Sequence, residues 1–193
     1  MIRKLSWDEV FDGWRKQEEE LWRPVYEGFG WDSWAAWRKM MIADLNLEKR
    51  TWTEEILEDP HSAIPSYAIG GWNGWKKYRP AGKDSASFAD IATPPQLGEQ
   101  SYDGAERIDI RTNEKIQPLI GRVSDATIIA LRCDKVIAVL DGTHRCAAIA
   151  IEAHDSAPLS KGIFTMLVAQ FDDSEKRLFE AFCRDRPRSK KVL

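Results

Sequence analysis

The chain contains 193 residues with a formal net charge of -3 at pH 7, and its three cysteines show no CxxC spacing. The acidic balance argues against a general affinity for nucleic acid without excluding a local basic site, and the odd cysteine number argues against a disulfide framework. The N-terminus lacks the apolar run of a secretory signal, and no stretch approaches the roughly 20 apolar residues of a membrane-spanning helix. We therefore expect a cytoplasmic protein that does not enter membranes; its oligomeric state stays open.

Residues 1–60 are predicted to form a helical subdomain rich in tryptophan. Ser6 precedes Glu9 by three residues, which is typical of a capping box, so a helix is expected from Trp7 onward. Proline removes a backbone donor and clashes with the preceding turn, and glycine disfavours a helix, so this helix is expected to break at Pro24 and the Gly28/Gly30 pair.

Two further helices are expected before residue 60. Asp32 or Ser33 would cap the second helix, and a short third helix would begin at residues 53–55 and end before Pro60. The large apolar residues of the second helix fall on one helical stripe: Trp34, Trp37, Met41 and Leu45. Such a stripe is typical of a buried face, so these side chains are expected to pack against the rest of the protein.

Residues 61–104 are rich in glycine, proline and serine and are predicted to be an irregular connection. Connections of this length are usually functional or mobile. Trp72 and Trp75 lie in its glycine-rich part, where little helical core is expected to bury them. They are candidates for stacking on a base or a planar substrate.

The second half of the chain changes to a pattern of short apolar runs. Residues 105–186 are expected to form one αβ domain of an α+β fold, followed by a basic tail at 187–193. The predicted strands are 107–111, 127–133, 136–140 and 162–171, and the predicted helices are 143–153 and 174–184. The tight turn between the second and third strands is expected at residues 134–135.

The joint between the third strand and the following helix carries the candidate site. Gly142 allows a close approach to the backbone, and the N-terminus of a helix attracts anions. His144, a donor that can be charged, and Arg145 would add contacts to phosphate, while Asp141 would bind magnesium or orient His144. The alternative is structural, because Asp-Gly is a common turn and Thr143 an ordinary helix cap.

The stretch DGTHRCAAIA at residues 141–150 resembles the signature of the ParB/sulfiredoxin fold. In that superfamily a strand ends in Asp-Gly-x-His-Arg or a close variant, and an alanine-rich helix follows. The flanking strands agree, and IRTNEKIQPL at residues 110–119 is similar to the segment that opens ParB-type domains. The resemblance covers roughly residues 105–185 and implies the fold of that superfamily for this part of the chain.

The resemblance also implies a function. The superfamily includes sulfiredoxins, CTP-binding clamps and free-serine kinases, and the turn cradles the phosphates of ATP, ADP or CTP. The positions carried over to this chain as phosphate ligands are Gly142, Thr143, His144 and Arg145. The free-serine kinases use a glutamate after their first strand as a general base, which implies a catalytic role for Glu114, with Glu106 as the second candidate. Asp141 is the other predicted catalytic residue.

Two departures from the superfamily narrow the choice of function. Thr143 occupies the position of the catalytic cysteine of sulfiredoxins, and the chain has no helix-turn-helix segment after residue 185 of the kind that follows in ParB clamps. We expect a nucleotide-binding phosphotransferase with magnesium and a small hydroxyl-bearing substrate. The alternative is a ParB-like regulatory or nucleic-acid-associated module, nuclease-like or nucleotide-sensing, for which the basic tail is the main support.

Overall fold

Six strands form one mixed sheet in the order β1-β2-β6-β4-β5-β3 in a computed structural model that describes residues 3–185. The strands are β1 (Arg3–Leu5), β2 (Trp52–Leu57), β3 (Ala68–Ile69), β4 (Ala126–Cys133), β5 (Val136–Asp141) and β6 (Phe164–Phe171). The helices are α1 (Trp7–Gly28), α2 (Trp34–Ile42), α3 (Pro60–Ala63), α4 (Phe88–Ala92), α5 (Thr143–Asp155) and α6 (Lys176–Arg184). The predicted α+β class is confirmed.

Helix α1 begins at the residue that the sequence predicts and continues beyond Pro24. The Ser6 hydroxyl accepts a hydrogen bond from the Glu9 amide at 3.2 Å, and the Glu9 carboxylate accepts one from the Ser6 amide at 2.7 Å. The break predicted at Pro24 is wrong, because the helix continues to Gly28, and the break predicted at the Gly28/Gly30 pair is confirmed. Pro24 is exposed, so water can satisfy the carbonyl group that the missing amide leaves without a partner.

The helix predicted from residues 53–55 is also wrong, because these residues belong to strand β2. This strand pairs antiparallel with β1 on one side and with β6 on the other. Its two glutamates pair with arginines of other strands. Glu54 pairs with Arg3 of β1 at 2.9 Å, and Glu55 reaches across β6 to Arg132 of β4 at 2.6 Å. Tertiary pairing therefore overrides the helical preference of glutamate.

The second half of the chain largely follows its predicted order. Strands β4 and β5 join through a turn at residues 134–135, where Asp134 has a φ of 51°. The strand predicted at 107–111 is wrong: Ile110–Thr112 is a 3-10 turn. Arg107 is buried there, donates to backbone carbonyl groups and pairs with Glu99 at 2.7 Å. The hydrogen bonds of this side chain hold the segment in place, instead of backbone hydrogen bonds to a neighbouring strand. The predicted tail at 187–193 lies outside the described residues.

Helices cover both faces of the sheet. Alternate residues of the central strands divide between two apolar clusters: Ile128, Val139 and Met166 pack with α4 and α5, whereas Ile129, Leu140 and Phe171 pack with α1, α2 and α6. The tryptophan stripe is buried in the second cluster, as predicted. Between residues 61 and 104 the regular elements are short, and no described helix has the length and apolar character to cross a bilayer.

Candidate functional site

The predicted strand-to-helix joint is present at residues 141–143. Strand β5 ends at Asp141, Gly142 is the N-cap residue with a φ of 86°, and α5 begins at Thr143. The left-handed backbone favours glycine, and a Cβ atom there would lie 3.4 Å from the Thr127 carbonyl oxygen. The first amide groups of a helix have no acceptor within that helix, so the joint presents donors.

His144 is half-buried at this joint and lies against Trp75, with 5.2 Å between the ring centroids. Burial, together with the charge of Lys115, lowers the pKa of His144 from 6.5 to about 4. His144 is therefore neutral near pH 7. A neutral imidazole still donates one hydrogen bond from a ring nitrogen.

Arg145 and Cys146 begin the first turn of α5 and have different surroundings. The Arg145 guanidinium is half-buried, and its Nη1 donates to the Thr127 carbonyl oxygen at 3.3 Å. That contact uses one of several N–H donors of the group. Cys146 is fully buried in the apolar cluster, and burial raises the pKa of its thiol. Cys146 therefore packs as a small apolar side chain.

A buried carboxyl group from helix α1 meets Asp141 at the end of β5. Glu18 is only 7% exposed, and it lies close enough to Asp141 for the charge of that residue to act on it. Burial and the charge of Asp141 raise the pKa of Glu18, against the opposing effect of Arg38. Glu18 is therefore easier to protonate than an exposed glutamate.

Glu18 is fixed by donors from two helices. Its carboxyl oxygens accept hydrogen bonds from Trp22 Nε1 at 3.1 Å, Trp34 Nε1 at 3.2 Å and Arg38 Nε at 3.0 Å. The Arg38 guanidinium in turn lies among four indole rings, at 4.4 Å from the Trp37 centroid and 5.0 Å from the Trp14 centroid. Cation–π contacts of this kind hold an arginine without full hydration.

Lys115 faces the same region from the segment before β4. Its Nζ lies 4.9 Å from the centroid of Trp22, and its charge acts on His144. Glu114, the predicted general base, is exposed and adjacent in sequence to Lys115. The structure thus brings the 114–115 segment to the side of the joint, and the catalytic role of Glu114 stays a prediction.

The two tryptophans of the glycine-rich loop are more buried than predicted. Trp75 is 7% exposed between His144 and Tyr78. The half-buried Trp72 donates from Nε1 to the Leu140 carbonyl oxygen at 3.3 Å and contacts Phe182 edge-on. The contacts that bury them come from outside the loop: Phe182 of α6 packs on Trp72, and His144 at the joint packs on Trp75. Stacking of Trp75 on a ligand stays a prediction, and Trp72 supports the end of β5.

A magnesium ion fits the joint only as a companion of phosphate. Among residues 3–185 no group of three or more His, Cys, Asp or Glu side chains is arranged for a metal ion. Magnesium bound to nucleotides commonly takes one or two carboxylates, with phosphate oxygens and water as its other ligands. Asp141 is compatible with that pattern, and its predicted magnesium contact stays a prediction.

Sequence reasoning missed Glu18, Arg38 and Lys115. A signal for Glu18 was present: Trp14, Glu18 and Trp22 follow one another at intervals of four residues. This spacing places the carboxyl group on the same face of the first helix as two tryptophans. Comparisons of the chain with protein-family models, with curated proteins and with solved structures gave no match.

Proposed function

We propose that the protein binds a nucleotide at the joint of β5 and α5 and transfers a phosphoryl group to a small hydroxyl-bearing molecule. The observation that carries this proposal is the left-handed Gly142 at the N-terminus of α5, next to Arg145 and close to Lys115. The resemblance of residues 105–185 to the ParB/sulfiredoxin fold supports nucleotide binding, and we propose membership of that superfamily together with the function.

The phosphate groups would be bound by three kinds of donor. The first amide groups of α5 and the positive end of its dipole attract an anion. Arg145 offers a planar set of donors, and Lys115 a mobile positive charge. The neutral His144 adds a directed N–H without a charge of its own.

In the proposed transfer the acceptor oxygen attacks the terminal phosphorus, which is the γ-phosphorus of ATP or CTP and the β-phosphorus of ADP. The bond from that phosphorus to the bridging oxygen breaks, and the shortened nucleotide leaves with the bridging oxygen. The hydroxyl proton passes to a carboxylate, for which Glu114 and Asp141 are the candidates. Magnesium would neutralise charge on the phosphate oxygens when it is bound. ATP, with ADP and CTP as alternatives, is the nucleotide considered.

Calorimetric titration with ATP, ADP and CTP in the presence of magnesium tests the binding step. The variant Arg145→Ala should bind the preferred nucleotide about 10- to 100-fold more weakly, because it loses charged hydrogen bonds. Arg177→Ala, which removes an exposed arginine from α6, should bind like the wild type. Absence of binding to any of the three nucleotides, or an unchanged affinity in Arg145→Ala, would refute the proposal.

Turnover is tested separately by phosphoryl transfer to serine and other small hydroxyl compounds. Glu114→Gln should slow transfer and leave nucleotide affinity almost unchanged. Binding without transfer to any acceptor would replace the phosphotransferase with a nucleotide-sensing module that uses the same cradle.

A further inference from the structure

Glu114 and Lys115 are the two exposed residues at the tip of a turn whose ends are fixed in the fold. The Ile116 amide donates to the Asn113 carbonyl oxygen at 2.9 Å, which closes a four-residue turn, the 113–116 turn. Ile116 is fully buried in the apolar cluster that also contains Cys146 of α5. The predicted general base and a lysine therefore lie together on a short support that is tethered to the core near the joint.

The side chain of Asn113 makes two hydrogen bonds that have different effects. Its Oδ1 accepts from the Lys115 amide at 2.9 Å, and this local contact favours the turn itself. Its Nδ2 donates to the hydroxyl oxygen of Tyr78 at 3.0 Å, across 35 residues of sequence. Because the local contact already favours the turn, the contact with Tyr78 fixes where the turn lies in the fold.

Tyr78 connects the turn to the residues at the joint. It is 3% exposed and packs edge-on against Trp75, with 5.9 Å between the ring centroids, and Trp75 in turn lies 5.2 Å from His144. A phenylalanine would fill the same space, so the hydroxyl group matters here for the hydrogen bond that it accepts. On the other side of the turn, Lys115 Nζ lies 4.9 Å from the ring centroid of Trp22 in α1. The turn is thus held between the glycine-rich loop and the tryptophan-rich helices.

We propose that Asn113 is a positioning residue, which uses Tyr78 as its anchor to hold the 113–116 turn beside the phosphate site at the start of α5. The proposal rests on the proposed nucleotide function. Lys115 then meets the phosphate groups from a backbone that is already ordered, and ligand binding is tighter when its contacts are pre-organised. The same anchor holds Glu114 within reach of the acceptor hydroxyl group. Asn113 and Tyr78 act through the turn and contact neither the nucleotide nor the acceptor.

The variant Tyr78→Phe removes the anchor and keeps the packing of the ring. It should bind ATP, ADP or CTP, whichever the wild type prefers, about three- to tenfold more weakly, because Lys115 is no longer held in place. In a Lys115→Ala background the same change should have no further effect on affinity, because both changes act on one interaction. Tyr102→Phe, which removes the hydroxyl group of a half-buried tyrosine elsewhere, should bind like the wild type. An unchanged affinity in Tyr78→Phe, or an equal loss with and without Lys115, would overturn the proposal.

A measurement without ligand distinguishes failure of this proposal from failure of the nucleotide function. Hydrogen exchange of the Lys115 amide, followed by NMR, reports how firmly Asn113 Oδ1 holds the turn. Exchange should be at least about threefold faster in Tyr78→Phe than in the wild type, and unchanged in Tyr102→Phe. Equal exchange in Tyr78→Phe and the wild type overturns the positioning role. If exchange is faster as expected but the wild type binds no nucleotide, the nucleotide function fails, and with it the assignment of the turn to a nucleotide site.

Discussion

The imidazole of His144 lies against the indole of Trp75, with 5.2 Å between the ring centroids. This contact, the burial around it and the nearby Lys115 keep the pKa of His144 at about 4, below its ordinary 6.5. Between about pH 6.5 and pH 4, His144 is therefore protonated in the unfolded chain and neutral in the folded chain. Folding stability from this group is fully present above pH 6.5 and is lost as the pH falls to about 4.

We expect this loss to reach roughly 1–3 kcal/mol in the free energy of unfolding. Urea unfolding of the wild type and of His144→Asn, measured at intervals between pH 4 and 7, checks it. Glu18 has a raised pKa, so its contribution declines as the pH rises and has the opposite sign. The difference between the wild type and His144→Asn isolates the histidine. Parallel curves for the two proteins would contradict the expectation.

Gly142→Ala should affect binding and stability together. The left-handed backbone costs an alanine roughly 1 kcal/mol, and the added methyl group would press against Ile128 and the Thr127 carbonyl oxygen, so the turn that presents the amide groups must shift. Gly104→Ala is a matched control, because Gly104 has a φ of 84° and open space around it. Both variants should lose stability on thermal unfolding, and only Gly142→Ala should lose nucleotide affinity. Equal affinities in the two variants would argue against a backbone contact at the joint.

Arg38→Met should destabilise the fold by about 2–4 kcal/mol, because the buried Glu18 loses the hydrogen bonds that the Arg38 guanidinium donates. The four indole rings around Arg38 also lose their cation–π contacts. Urea unfolding followed by tryptophan emission measures the change. Arg23→Met, at an exposed position of α1, should change stability by less than about 0.5 kcal/mol. If the two variants proved equally stable, the Glu18–Arg38 pair would have no net structural role.

Glu152→Ala should be destabilising for a different reason. The fully buried Glu152 carboxylate accepts hydrogen bonds from His61, from the Gly121 amide and from the amide and hydroxyl of Ser160. Burial acts to raise the pKa of Glu152, yet these hydrogen bonds lower it overall. Removal of the carboxylate leaves several donors without an acceptor, at a cost of about 2–4 kcal/mol. Glu180→Ala on the surface of α6 is the control, and chemical denaturation of both variants gives the comparison.

The segment from β4 through α5 can be predicted from sequence because its signals are local. Apolar runs, a two-residue turn and an alanine-rich helix follow one another within residues 126–155. Strand β2 cannot be predicted in this way, since its partners β1 and β6 lie elsewhere in the chain and its glutamates favour a helix. Only the pairing with Arg3 and Arg132 makes Glu54 and Glu55 suitable in a strand.

The candidate site divides in the same way. Gly142, His144 and Arg145 lie within four consecutive residues, so the sequence alone predicts that they occupy one place in the fold. The charge of His144 does not, because its pKa depends on burial and on Lys115. Glu18 lies in the run QEEE, which is typical of a solvated helix face, and in the sequence only its spacing from Trp14 and Trp22 indicates a buried position.

The position of β2 between β1 and β6 has a consequence during synthesis of the protein. The ribosome synthesises β2 early and β6 near the end of the described chain. Until β6 is synthesised, the edge of β2 that faces away from β1 has no strand to hydrogen-bond with. The tryptophan-rich helices meanwhile lack most of the sheet that they cover. Long-range pairing of this kind folds slowly and leaves apolar surface exposed in incomplete chains. Truncated products that end before β6 would therefore be substrates for chaperones and proteases.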